Sequence, residues 1–313
     1  MRHHVDPVLL PGLDYMPSFE FSDESLPAIR AGMEEMLAQA PEPEGTGVTW
    51  REDEVPSRDG RAIPVRLYVP DGAQAPMPAI LQIHGGGYVM GSPRLSHIAN
   101  LGTCAATGAV VVSVDYRLAP ETRAPGSVED CYAALSWLVA SSESLGVDID
   151  RIAVRGESAG GGLAASLCLL ARDRGGPAIV HQNLIYPMLD DRTCTREQPA
   201  HLGAFVWTPQ ANAYGWQALL GVAPGSENVP DYAVPARASS LESLPPAFIA
   251  VGGLDLFLAE DLDYARRLTE AGVMTELHVY PGAYHGFDVL PDAEPVQRMH
   301  RDAMAALRRA LHQ

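Results

Sequence analysis

From residue 79 onward the chain alternates short apolar runs with helical stretches. The runs at 79–83, 109–114, 151–155, 179–186, 247–251 and 275–280 read as strands. Stretches at 93–107, 127–145, 159–173, 261–271 and 295–312 read as helices. Strands this apolar must be buried on both faces, which calls for a mostly parallel central sheet flanked by helices. Upstream, "GVTWREDEVPSRDGRAIPVRLYVP" holds two alternating strands around Asp59-Gly60, a hairpin that would extend one edge of the sheet in antiparallel fashion.

Two segments stand outside this rhythm. Ser25 to Gln39 sets Leu26, Ile29, Met33, Met36 and Leu37 on one helical face, with Pro27 in the first turn, and the proline-rich "APEPEGTG" ends it. The interval 187–245 contains a helix from Pro209 to Leu220 and no strand suited to the sheet. The expected organisation is a helical cap made by residues 1–45 and an insertion at 187–235. The α/β core then spans 46–186 and 236–313.

Composition narrows the chemistry. With 22 basic against 39 acidic residues the formal charge is −17, which argues against nucleic acid and anionic membranes as partners. No apolar stretch has membrane length, and "MRHHVDPVLLPGLDYM" lacks the apolar core of a signal peptide, so a cytoplasmic protein is expected. Cys104, Cys131, Cys168 and Cys194 are widely spaced and read as core residues rather than a disulfide framework. The ten histidines form no ligand-spaced cluster, so neither metal nor cofactor is expected. There is no lysine at all. Schiff-base chemistry, a Walker-type phosphate loop and a Ser-x-x-Lys pair are therefore closed to this chain.

Residues 154–166, "VRGESAGGGLAAS", put Ser158 between Gly156 and Gly160 at the junction of a strand and a helix rich in small residues. That context turns G-x-S-x-G into a nucleophile elbow, with the helix N-terminus favouring negative charge beside the serine. A serine nucleophile needs a base, an orienting acid and donors for an oxyanion. Asp255 falls in the loop after strand 247–251, and His285 in the loop after strand 275–280. Both suit the order nucleophile, acid, base. Asp261 and Asp263 fall on a helix and are expected on a solvated face, while His278 lies inside a strand and reads as structural. The triple glycine of "QIHGGGYVMG" lets backbone approach a substrate carbonyl. The N–H groups of Gly86, Gly87 and Ala159 are the natural donors, with His84 fixing the loop.

The motifs "HGGGY", "DYRLAPE", "GESAGG" and "YHGF", in this order and spacing, resemble the bacterial hormone-sensitive-lipase-like carboxylesterases of the α/β-hydrolase fold. The resemblance runs from about residue 60 to the end and is strongest toward the branch that contains the bacterial heroin esterase. It implies an ester hydrolase with Ser158 as nucleophile, Asp255 as acid, His285 as base and Gly86, Gly87 and Ala159 as the oxyanion hole. Arg117, Pro120 and Glu121 would be structural. Two departures stand out: Glu157 where the family usually has aspartate, and the apolar "DLFLAE" from Asp255 where it usually has Asp-Pro-Leu-Arg-Asp-Glu. Glu260 is the next candidate acid.

The cap carries Phe19, Phe21, Phe205, Trp207, Tyr214 and Trp216. With Tyr88 and Leu256 near the proposed site, Phe205 and Trp207 are expected to bound an apolar substrate pocket. A small-molecule ester of short acyl chain is the expected substrate, with an amidase or N-deacylase, or a non-catalytic receptor on the same fold, as alternatives. A homodimer is left open.

Overall fold

In the computed structural model, which describes residues 1–16, 19–39, 43 and 46–312, the central sheet has eight strands. They are β1 (Val48–Pro56), β2 (Ala62–Pro70), β3 (Met77–Ile83), β4 (Val110–Val114), β5 (Val147–Glu157), β6 (His181–Ile185), β7 (Ala247–Gly252) and β8 (Thr275–Tyr280). The spatial order is β1-β2-β4-β3-β5-β6-β7-β8. The hairpin β1–β2 pairs antiparallel onto β4, and every other pairing is parallel. The expected architecture is therefore the one observed.

Alternation along the strands sorts the core. Leu81, Val112 and Val154 join the cluster formed with α3 (Gly126–Ala140), α5 (Ala159–Arg174) and α7 (Leu258–Glu270). Their neighbours Ile80, Val111 and Ala153 face the opposite way, against α2 (His97–Thr107) and α8 (Glu294–Leu311). Successive side chains leave a strand on opposite faces, so fully apolar strands require cover on both sides. That is why β3 and β4 are buried at every position.

The sequence expectation needs two adjustments here. The stretch "GVDID" reads as a turn, yet Val147 to Asp150 already belong to β5, with an irregularity in its pairing to β3 between Met77 and Ala79. The turn is confined to the first residue of that stretch, where Gly146 ends the short helix α4 (Ser142–Leu145) in a left-handed conformation. The single helix expected over 127–145 is α3 followed by α4.

The N-terminal helix α1 (Leu26–Ala38) and α6 (Pro209–Leu220) lie outside the sheet layers. Most of the proline-rich stretch after α1 falls outside the described residues. Arg30 of α1 donates to the carbonyls of Val89 and Ala119 and pairs with Glu121, which gives Glu121 a structural task. Arg117 pairs with the buried Asp130 of α3 at 2.6 Å. Phe21 stacks on Tyr214 of α6 at 5.8 Å, and the Tyr214 hydroxyl donates to Asp23, so the N-terminal segment and the insertion touch directly. All four cysteines are free.

Candidate active site

Three loops at the C-terminal ends of β5, β7 and β8 converge on Ser158. The serine has φ 56° and ψ −121°, an uncommon conformation for a residue with a side chain, and is 6% exposed. Close packing explains its flanking glycines. A Cβ at Gly156 would overlap the Gly160 carbonyl, and one at Gly160 would overlap the carbonyls of Ile83 and His84. The bend is thus wedged against β3, with α5 starting at the next residue, Ala159.

The Ser158 hydroxyl lies 2.9 Å from His285 Nε2, and His285 Nδ1 lies 2.8 Å from Asp255 Oδ2. A carboxylate only accepts, so Nδ1 carries the proton; Nε2 of the neutral ring is left to accept from the serine. Asp255 is fully buried, and its other oxygen accepts the Phe257 N–H at 3.0 Å. Two rings hold the imidazole edge-on: Tyr186 at 4.8 Å and Phe257 at 5.0 Å. The Tyr186 hydroxyl is itself fixed, donating to Asp288 at 2.8 Å. Tyr186 and Phe257 are absent from the residues expected from sequence. Their signal was position alone, since Tyr186 directly follows the sixth strand and Phe257 follows Asp255 by two residues, where loop residues gather round the site.

On the other side of Ser158 run the glycines after β3. Gly86 and Gly87 both have positive φ, 120° and 61°. Among the described residues, no protein acceptor takes the N–H of Gly86, Gly87 or Ala159. His84 fixes the start of this loop. Its Nδ1 donates to the Gly85 carbonyl, its ring stacks on Tyr116 at 4.3 Å, and burial lowers its pKa to about 4, so it is neutral.

Glu157, next to Ser158, is mostly buried; its carboxyl pairs with Arg155 at 2.5 Å and accepts from Gln82 at 2.6 Å. Burial pushes its pKa up, and the Arg155 charge works against that rise. Glu260 is spent elsewhere, accepting the N–H groups of Leu189 and Asp190 and the Thr193 hydroxyl. Asp255, not Glu260, is the carboxylate on His285.

One expectation is overturned. Asp261 is not on a solvated face but fully buried, with no hydrogen-bond partner among the described residues for either carboxyl oxygen. Burial, then the charges of Glu260 and Asp255, hold its pKa well above the ordinary carboxylate range. Asp263, two residues on, is exposed and pairs with Arg266 as a surface residue does. His278 is half-buried and bonded to Glu276.

The expected pocket residues divide. Trp207 lies 6.3 Å from the His285 ring, and Leu256 sits beside the acid, buried. Tyr88 is buried with its ring on Trp216 and its hydroxyl on the Met188 carbonyl. Phe205 packs 6.3 Å from Tyr284, in the apolar cluster that includes Val5 and Leu9. Among the described residues, no group of three or more His, Cys, Asp or Glu side chains is arranged to hold a metal ion. Among the same residues, no helix is long and apolar enough to cross a membrane.

Residues 80–289 match the family described as having the alpha/beta hydrolase fold. The chain belongs to the α/β-hydrolases. Within them it groups with the hormone-sensitive-lipase-like esterases. This α/β-hydrolase is 36% identical to esterase LipI of Mycobacterium tuberculosis over 98% of its own length and 96% of the relative's. It is also 36% identical to an ethyl acetate hydrolase of Pseudomonas putida, over 74% of its length and 73% of that protein's. A solved bacterial heroin esterase superposes on it with a TM-score of 0.90 at 38% identity, covering 99% of both chains. This α/β-hydrolase is a carboxylic ester hydrolase.

Proposed function

We propose that the enzyme cleaves short-chain carboxylic esters through an acyl-enzyme on Ser158, with His285 as base and Asp255 as its orienting acid. The relay from Asp255 through His285 to Ser158, at 2.8 and 2.9 Å, is the observation that carries this reading. As the serine oxygen attacks the ester carbonyl, its proton passes to Nε2, and Asp255 stabilises the imidazolium. The carbonyl oxygen becomes an oxyanion, for which the N–H groups of Gly86, Gly87 and Ala159 are the donors. Collapse breaks the ester C–O bond, and the Nε2 proton leaves with the alcohol. Water then repeats the sequence on the acyl-enzyme, giving the acid and restoring the hydroxyl.

The enclosure of the site supports the substrate class. Ser158 and His285 are each only 6% exposed, and aromatic rings surround the imidazole. Residues 1–45 and 187–235 are the cap in this reading, over a core of 46–186 and 236–313. The similarity to an ethyl acetate hydrolase supports acetate and other short acyl groups. The test is mass spectrometry after treatment with a chromogenic diethyl phosphate ester. A diethylphosphoryl adduct on Ser158, absent from Ser158→Ala, supports the assignment; labelling elsewhere would refute it. Matched p-nitrophenyl acetate and p-nitroacetanilide then separate esterase from amidase.

A further inference from the structure

Most of the loop that supplies the oxyanion donors is pinned by hydrogen bonds. The Tyr116 hydroxyl donates to the His84 carbonyl at 2.9 Å, and the Gly86 carbonyl accepts from Val89 and Met90. Tyr88 is tied twice, through its hydroxyl to Met188 and through its carbonyl to the Ala119 N–H. Arg30 holds the Val89 carbonyl at 2.6 Å. Gly87 is the exception. Among the described residues, neither its N–H nor its carbonyl makes a hydrogen bond to protein.

Packing holds it instead, and the packing comes from the insertion between β6 and β7. A Cβ at Gly87 would overlap the six-membered ring of Trp207, so the indole lies directly on this peptide. From α6, Gly215 comes so close that a Cβ there would meet the Gly87 carbonyl oxygen at 2.7 Å and the Trp207 ring at 3.5 Å. The indole is itself anchored. Its Nε1 donates to Asn212 Oδ1 at 3.2 Å, and Phe21 packs on it at 5.7 Å from the N-terminal segment. Trp207 is buried, with 5% of its surface exposed.

We infer that Trp207 is a positioning residue for the oxyanion hole: with Gly215 it clamps the Gly87 peptide, so that its N–H is already aimed when charge develops on the substrate oxygen. The inference rests on the reading of Gly87 as an oxyanion donor. A donor contributes most when its orientation is fixed before reaction, and a misplacement of about 1 Å costs on the order of a hundredfold. The insertion thereby has a role in the chemical step itself, beyond enclosing substrate.

Two variants test it, with p-nitrophenyl acetate as a substrate too small to need a shaped acyl pocket and an aryl trifluoromethyl ketone as a probe that forms the oxyanion. Trp207→Ala should lower kcat about tenfold to a hundredfold with KM within about twofold. The inhibition constant of the ketone should rise by the same factor as kcat falls. Gly215→Ala is the second arm and keeps the inference testable should Trp207→Ala fail to fold, since alanine suits a helix interior better than glycine. Its methyl group must push the Gly87 carbonyl, so it should show the same split. A raised KM at unchanged kcat in a folded variant would make Trp207 a wall of the substrate site only and overturn the inference. A wild-type enzyme that the ketone does not inhibit would overturn the oxyanion-hole reading, and the inference with it.

Discussion

Glu260 accepts the backbone N–H of Leu189 at 2.7 Å, which ties helix α7 to the first residues of the insertion. The same carboxyl takes the Asp190 N–H and the Thr193 hydroxyl. The charge to complete this anchor is costly in a fully buried site. Burial raises the Glu260 pKa from 4.5 to about 8, and the donors from Thr193 and Leu189 offset only part of the rise.

Stability should therefore fall as pH rises. An acid whose pKa is higher folded than unfolded holds more protons in the folded state, so its cost is absent below the unfolded value and complete above the folded one. For Glu260 that window runs from 4.5 to about 8. Each pH unit within it costs at most about 1.4 kcal/mol. Asp261 and Glu157, also raised by burial, tilt the profile the same way, so the measurement is a difference. In Glu260→Gln the amide oxygen can take the Leu189 N–H and the amide nitrogen can donate to Thr193. Urea midpoints followed from about pH 5 to about pH 8 should decline less steeply in this variant than in wild type. Parallel profiles would show that Glu260 stays ionised throughout.

The relay at Ser158 makes a second prediction. Ser158→Ala and His285→Ala should each lower ester turnover by several orders of magnitude while the thermal transition stays close to wild type. Asp255→Asn should cost between about tenfold and about 10⁴-fold, because the imidazole loses the acceptor that fixes its tautomer. A loss below about tenfold in Asp255→Asn would show that this carboxylate does not govern the tautomer.

A third concerns the charge pair beneath the elbow. Arg155 is buried and depends on Glu157 at 2.5 Å for compensation, with Gln82 accepting a further hydrogen bond at 3.0 Å. Removing one partner of a buried pair leaves an uncompensated charge, which costs about 3–5 kcal/mol. Glu157→Ala should lose about that much in chemical denaturation, and Glu157→Gln, which keeps the side-chain shape and one oxygen to accept from Arg155, less. Equal losses would mean that the carboxylate charge, which both variants remove, sets the whole cost at this position.

Strand periodicity made the sheet legible because β3, β4 and β7 are buried throughout and carry no polar alternation to confuse the reading. The convergence of Ser158, Asp255 and His285 followed from the same pattern, since each stands just beyond the C-terminal end of a strand. What stayed hidden depends on tertiary packing. Asp261 looks like any charged residue on an amphipathic helix, and aspartate is seldom fully buried, so helical spacing could not distinguish it from the exposed Asp263. Tyr88 follows the triple glycine and so looked like a substrate contact. Its φ is positive, its ring packs on Trp216 and its hydroxyl donates to the Met188 carbonyl, contacts that no local pattern shows. Phe205 and Trp207 are two residues apart on one short segment, yet they fall in different apolar clusters. No local period separates them.

Acyl length provides the last prediction. Trp207 and Phe257 pack near the His285 ring and Ser158 is nearly enclosed; the proposed short-chain preference requires the space beyond the scissile carbonyl to be bounded. While space lasts, each added methylene gains about 0.8 kcal/mol of burial, close to fourfold in kcat/KM. Once the pocket is full, a further methylene must displace packed side chains, and overpacking costs about 1–3 kcal/mol. The two slopes have opposite signs, so a bounded pocket gives a maximum rather than a plateau. For p-nitrophenyl esters, kcat/KM should rise from acetate, peak no later than about hexanoate and fall by more than tenfold at laurate. Trp207→Ala should move the peak toward longer chains only if the indole also bounds the acyl side. A rise that continues through palmitate would mean an open groove, and the enzyme would then be a lipase rather than a short-chain esterase.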